Sequence, residues 1–444
     1  MWGRFSFGSN QQRAGAQLRP IHIVKTAKKS HGDSKMGGET AAEYAERLKI
    51  LEQAQRRKMA QSAHRYVRGS TVQFYEWLQR GRRQGVPEGP PVWICGDCHL
   101  GNLGPVANHE GKVEIEIRDV DQTVIGNPAH DLVRLALSLA SAARGNDLPG
   151  VTTAHMMEHM MEGYQQALKH PSVQRGRTAK GDDLAPIASA LRLSVRRRWK
   201  HLADERIEGV EPVIPLGKRF WALRKEERAA IDSLFTEEAT VAMIRRLAGD
   251  DAPKKVTVVD AAYWMKGCSS LGKLRYAVLL GLGKGTNRRY RLIDIKEAVA
   301  PAAPATSRVA LRKAGLTQPE DFAERVVIGA RALSPFLGER MLPATLLRRP
   351  VVLRELMPQD LKLELDRMTC DQAVAAAQFL AAVVGRAHAR QMDAATRRHW
   401  NAELERNRPK SLEAPSWLWN SVVELLSEHE AAYLQHCRRY ALSA

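Results

Sequence analysis

Apolar positions along the chain recur at two periods, and the switch between them divides it. From Thr40 to Arg80 the period is helical. Thr40 followed by Glu43 is a capping-box signature, and Tyr44, Leu48, Leu51 and Ala54 then fall at helical spacing. A second helical segment starts near His64 and carries Phe74, Trp77 and Leu78. Prolines from Pro87 to Pro91 punctuate, after which Val92-Trp93-Ile94 reads as a short buried strand. Val113, Ile115 and Ile117 alternate with Glu114, Glu116 and Arg118, the period of a half-exposed strand ending at Asp119. Asp131 to Ala143 predicts an apolar helix closed by Gly145-Asn146-Asp147, and residues 170–250 read as charged helices broken by Pro212 and Pro215.

At Pro253 the texture changes. Val256–Val259, Leu274–Leu280 and Tyr290–Lys296 predict three antiparallel strands joined by glycine-rich turns at 267–272 and 281–285. A helix over Pro319–Leu333, a strand over Val351–Leu356 and helices at 371–391 and 415–440 follow. The expected fold class is α+β, with a small antiparallel-sheet lobe beside a larger helical lobe. Four regions result: a basic, glycine-rich tail over 1–35, expected to be disordered; a helical lobe over 36–252; the sheet lobe over 253–357; and helices over 358–444 that complete the helical lobe.

Composition narrows the class. Hydrophobic residues make up 44% and charged residues 26% of the 444, as in ordinary globular proteins. No apolar run of about eighteen residues predicts a membrane span, and no secretory h-region follows the start, so the expectation is a cytoplasmic protein. The 5 cysteines are scattered, which is no disulfide framework. Cys95-Gly-Asp-Cys98 lacks a second C-x-x-C to complete a zinc site. His155-Met-Met-Glu158-His159 spells the inverted zinc-protease pattern, but its methionines read equally as the core face of an amphipathic helix. The net charge of +19 admits weak nucleic-acid association through a basic surface, although no nucleic-acid-binding motif appears.

Chemistry concentrates in Trp93–Leu135. Asp97 follows an apolar run, Asn102 comes five residues on, Asp119 and Asp121 end an alternating run, and Asp131 opens a helix. Acids on loops after strands are what Mg-nucleotide phosphoryl transfer requires, to orient a hydroxyl and hold a hard cation. The remaining parts of such a site also have candidates: a glycine-rich turn (Gly267, Ser269, Ser270, Gly272), a strand lysine (Lys296) and a helix acid (Glu324). They come after the acidic loops, in rotated order.

Gly96-Asp97-Cys98-His99-Leu100-Gly101-Asn102 resembles the G-D-x-H-x-x-N loop of the aminoglycoside and choline phosphotransferases, small-molecule members of the protein-kinase-like fold. Asp119-Val120-Asp121 through Gly126-Asn127-Pro128-Ala129-His130-Asp131-Leu132 is similar to their D-x-E/D and G-D-P-x-x-D-L segments. Ala387-His388-Ala389 resembles the L-H-A helix that precedes their catalytic loop. Over 40–395 the chain more closely resembles an uncharacterised bacterial family, domain of unknown function 2252, which carries such motifs circularly permuted. The resemblance implies a two-lobed, permuted protein-kinase-like fold and an ATP- and Mg-dependent phosphotransferase acting on an unidentified small-molecule or protein acceptor. In it Asp97 would be the catalytic base, Asn102 and Asp119 would hold magnesium, and Asp121 would support them. Lys296, fixed by Glu324, would contact the α- and β-phosphates. Asp131 would brace the catalytic loop, His99 would pack beneath it, and Arg354 and Glu355 would lie on a hinge strand near adenine. AMP transfer and an inactive kinase-like scaffold or basic nucleic-acid-associated module are the alternatives.

Overall fold

A computed structural model describes residues 41–80, 85–172, 184–196, 213–249, 255–266, 271–283, 288–304, 306–360, 368–406 and 414–440. All of these fall in one compact unit, Glu39–Ala444. The tail over 1–35 and the turn residues Gly267, Ser269 and Ser270 lie outside the described residues.

In chain order the elements are α1 (Ala41–Met59), α2 (Ala63–Gly69), α3 (Thr71–Arg80), β1 (Val92–Ile94), β2 (Leu103–Ala107), β3 (Val113–Ile117), β4 (Val124–Gly126), α4 (Pro128–Gly145), α5 (Gly150–Lys169) and α6 (Ala185–Arg196). There follow β5 (Phe220–Trp221), α7 (Lys225–Leu234), α8 (Glu238–Ala248), β6 (Val256–Trp264), β7 (Arg275–Leu282), β8 (Arg289–Glu297), α9 (Arg308–Lys313), α10 (Phe322–Leu333), α11 (Pro335–Gly338), β9 (Met341–Leu346), β10 (Arg349–Glu355), α12 (Cys370–Ala389), α13 (Ala394–Glu405) and α14 (Ser416–Tyr440). Among the described residues no helix is long and apolar enough to cross a membrane.

The largest sheet has the order β5-β6-β7-β8-β10-β9 and is antiparallel throughout. Alternate residues on its strands serve different neighbours. Tyr276, Val278, Ile293, Ile295, Val351 and Leu353 turn into a core shared with Ile231, Leu234, Met243 and Ile244 of α7 and α8, and with Leu51 of α1. That layer therefore draws on residues before 253, where the change of texture placed its start. The reason is that α7 and α8 are amphipathic and bury their apolar stripe on the sheet.

Two short ribbons, β1–β4 and β2–β3, are both antiparallel and carry the acidic loops. The helical core is centred on α4, which is apolar nearly all round and buried along almost its whole length. Asn127 caps its start by accepting from the Ala129 N–H, and Pro128 pre-sets its first turn. Helices α5 and α12 cross in close contact, because a Cβ on Gly163 would lie 2.1 Å from the Gln378 carbonyl oxygen. Met156, Met157, Met160 and Met161 of α5 are all buried. His159, partly exposed, pairs with Glu162 at 3.1 Å, and the described residues include no cluster of three or more His, Cys, Asp or Glu arranged for a metal.

Candidate functional site

The loop after β1 is held from both sides. Gly96 sits at a φ of +74°, and a Cβ there would meet the Gln122 carbonyl oxygen at 2.1 Å, so only glycine fits. Its carbonyl accepts from the Tyr75 hydroxyl at 2.9 Å. Asp131, fully buried at the start of α4, accepts from the Cys95 N–H at 2.7 Å and the Gly96 N–H at 3.0 Å. The oxygen that accepts from Cys95, Oδ2, also takes His388 Nε2 of α12 at 3.1 Å. With the proton on Nε2, His388 Nδ1 accepts from the Tyr164 hydroxyl at 3.0 Å, which accepts in turn from Trp400 Nε1 at 3.1 Å. A buried relay from α13 through α5 and α12 thus fixes the loop. Gln391 closes the contact by bonding both the N–H and the carbonyl of Trp93, 298 residues away in sequence.

Asp97 is buried, and its Oδ1 accepts from Arg134 Nε at 3.0 Å. Burial pushes the Asp97 carboxyl up, against the pull of Arg134 and of the Thr71 hydroxyl. His99 Nε2 lies 3.7 Å from Asp97 Oδ2, and burial, followed by the charges of Arg68 and Arg134, holds the imidazole well below its usual range and therefore neutral. The Asn102 amide nitrogen donates to the Asp97 carbonyl at 3.0 Å, which leaves its side-chain oxygen as an available donor to a cation.

Lys296, on β8, reaches across to the loop after β3. Its ammonium stands 3.5 Å from Asp119 Oδ2 and forms a close ion pair with Asp121. Burial alone would raise the Asp119 carboxyl, but Lys296, then Arg275 and Arg354, outweigh it and hold Asp119 below its ordinary value. Around the three lies a cavity of about 50 Å³ lined by Arg118, Asp119, Asp121, Asp294, Lys296 and Arg354 among others. Arg275 grips Asp294 with two bonds, at 3.0 and 2.5 Å. Lys273, beside Gly272 (φ +90°), feels both Glu297 and Asp119, although burial outweighs them and lowers its pKa. Asp360 ties β10 to the helical side: Arg340 and Arg354 each reach it at 3.0 Å, and it accepts from the Ala107 N–H at 3.2 Å.

The structure therefore brings Asp97, Asn102, Asp119, Asp121, Lys296, His99, Asp131 and Arg354 around one region, with Gly272 next in the chain to Lys273, and departs from the sequence reading at two residues. Glu324 does not hold Lys296: it is exposed on the first turn of α10, and Asp121 takes that place. The inward residue at that turn is Arg325, which donates to the carbonyls of Asp121, Thr123 and Val299. One residue's shift along a helix turns a side chain by about 100°, and the apolar spacing Ala323, Val326, Val327, Ala330 fixes which face is buried. Glu355 is the second. Adjacent strand residues point to opposite faces, so while Arg354 lines the cavity, Glu355 turns away and pairs with Arg291. Arg134, Lys273, Tyr164 and Trp400 went unnoticed in sequence. Only Arg134 left a signal, as a lone cation inside the apolar run of α4.

Fold and site define an α+β protein whose antiparallel sheet delivers a lysine to paired acids on a neighbouring ribbon. The chain belongs to the family described as "Uncharacterized protein conserved in bacteria (DUF2252)", which matches residues 47–439. Comparison with curated proteins and with solved structures gives no match.

Proposed function

We propose that this protein is an ATP- and Mg-dependent phosphotransferase with a circularly permuted, protein-kinase-like arrangement, acting on a hydroxyl of a small-molecule or protein acceptor. The observation that carries this reading is the reach of Lys296 to Asp119 and Asp121 beside Asp97 and Asn102, from a sheet far away in sequence. The placement of α12 against β1 supports the permuted order, since His388 and Gln391 brace the acidic loop from late in the chain.

The donors suit magnesium, which is usually held by one or two carboxylates together with phosphate oxygens and water. Asp119, half-exposed and kept ionised, and the free oxygen of Asn102 are such a set. Magnesium bound there would neutralise charge on the transferring phosphate. Lys296, Lys273 and Arg275 would face the phosphates. Asp97 would orient the acceptor hydroxyl and take its proton as the new O–P bond forms and the bond to the departing ADP breaks.

The test is incubation of the full chain with Mg·ATP labelled at the γ or, separately, the α position. Transfer of γ label that Asp97→Ala abolishes while Mg·ATP binding persists is the expected result. Transfer of α label would replace the reading with AMP transfer. Absence of Mg·ATP binding together with tight, salt-sensitive RNA binding would replace it with the non-catalytic one.

A further inference from the structure

The charges around Asp97 and Asp119 do not pair off. Arg134 serves Asp97, Arg275 serves Asp294, Lys296 serves Asp119 and Asp121, and Arg340 and Arg354 share Asp360. Two guanidiniums at the same place make no ion pair with any described residue: Arg68 and Arg118. Arg68 projects from α2 over the loop that carries Asp97. A Cβ on Gly101 would lie 2.8 Å from the centre of its guanidinium, so the glycine is what lets the cation rest on the loop backbone. Arg118 immediately precedes Asp119 and spends one nitrogen on the Asp360 carbonyl at 3.2 Å. The Nε of each is buried and makes no hydrogen bond within the described residues.

The two cations sense one another. The Arg118 N–H donates to the Asn102 carbonyl at 2.7 Å, one residue from the Gly101 on which Arg68 rests, and of the charges around Arg118 the carboxylates of Asp360 and Asp119 pull against Arg354 and Arg68. Arg68 also acts on His99, as does His64 one turn earlier on α2. Half-buried like charges placed side by side destabilise the empty site, and the ordinary remedy is a shared oxyanion, which takes the planar fork of arginine in two bonds.

We infer that Arg68 and Arg118 form an oxyanion subsite beside Asp97, and that the molecule received there is an alcohol bearing a phosphate or carboxylate group. This rests on the phosphotransferase reading only in naming that molecule the acceptor. The subsite itself is a matter of binding. Cationic alcohols, such as amino sugars or choline, would meet two guanidiniums that make no ion pair among the described residues, and be turned away.

Four three-carbon alcohols of similar size separate the contributions: glycerol 3-phosphate, glycerate, glycerol and 2-amino-1,3-propanediol. Binding of each to the full chain, without nucleotide and at constant ionic strength, is followed by NMR titration. The two anions are expected to bind, the neutral and cationic alcohols at least about tenfold more weakly. Arg68→Gln and Arg118→Gln should each weaken anion binding by about tenfold or more, with Arg68→Lys falling between. Thermal melts establish which variants fold, and having two positions keeps the test decisive if one fails.

Equal binding of glycerol and glycerol 3-phosphate, or anion binding indifferent to both arginines, overturns the subsite. Arginine-dependent anion binding upholds it even where no γ label is transferred, and that second result would count against the phosphotransferase reading alone.

Discussion

Single residues set the chemistry through what surrounds them. Arg134 and Asp97 are a buried pair, and removing one member of such a pair leaves a desolvated charge that costs roughly 3–5 kcal/mol. Arg134→Met should therefore lower stability by about that amount, measured by denaturant melts. On the proposed phosphotransferase reading, because Arg134 pulls the Asp97 carboxyl down, its loss should also move the acid limb of the transfer rate to higher pH, as the proposed base must be ionised to act. Glu116 supplies a second pH effect. Burial pushes its carboxyl from 4.5 to about 7, while Ser334 donates to it at 2.6 Å. The folded state thus holds a proton that the unfolded chain releases, and stability falls as pH rises from about 4.5 to about 7. Glu116→Gln keeps the shape and should flatten that slope, gaining up to about 3 kcal/mol above pH 7; an unchanged profile of Tm against pH would rule out the buried charge as its cause.

At the scale of elements, periodicity was legible wherever packing followed it. Strands β6, β7 and β8, helices α10, α12 and α14, and the strand leading to Asp119 all lie within a few residues of where apolar spacing placed them. Facing was harder to read. Which side of α10 points inward decides between Glu324 and Arg325, and which face of β10 meets the ribbon decides between Arg354 and Glu355. Both answers depend on partners supplied by distant segments. The crossing of α5 with α12 is another such contact, invisible in sequence because Gly163 announces nothing by itself. Gly163→Ala drives a methyl into the Gln378 carbonyl, where backbone must move. A loss of about 1–3 kcal/mol or more is expected, with Asp131 losing its His388 bond as the helices part, and chemical-shift changes at Gly96 would report it.

For the whole molecule, the proposed site belongs to two stretches far apart in sequence, brought together over a cavity of about 50 Å³. That is space for a few water molecules, so a nucleotide has to part Lys296 from Asp119 and Asp121 on entry. Mg·ATP should then alter hydrogen exchange in 118–122 and 273–297 together, and at a hundredfold its dissociation constant stabilise the chain by about 2.7 kcal/mol. Exchange changes in one segment alone would refute a shared site. By itself the sequence determined the α+β class, most of the longer elements and the acids at strand ends, because these follow from local periodicity and turn chemistry, while the strands Leu103–Ala107, Val124–Gly126, Phe220–Trp221 and Met341–Leu346 left no such signal. Only the tertiary structure decided that Asp121 takes Lys296 in place of Glu324, that Arg134 holds Asp97, and that Arg68 and Arg118 make no ion pair among the described residues. Those outcomes are set by burial and by neighbours from remote segments, and local spacing carries no record of either.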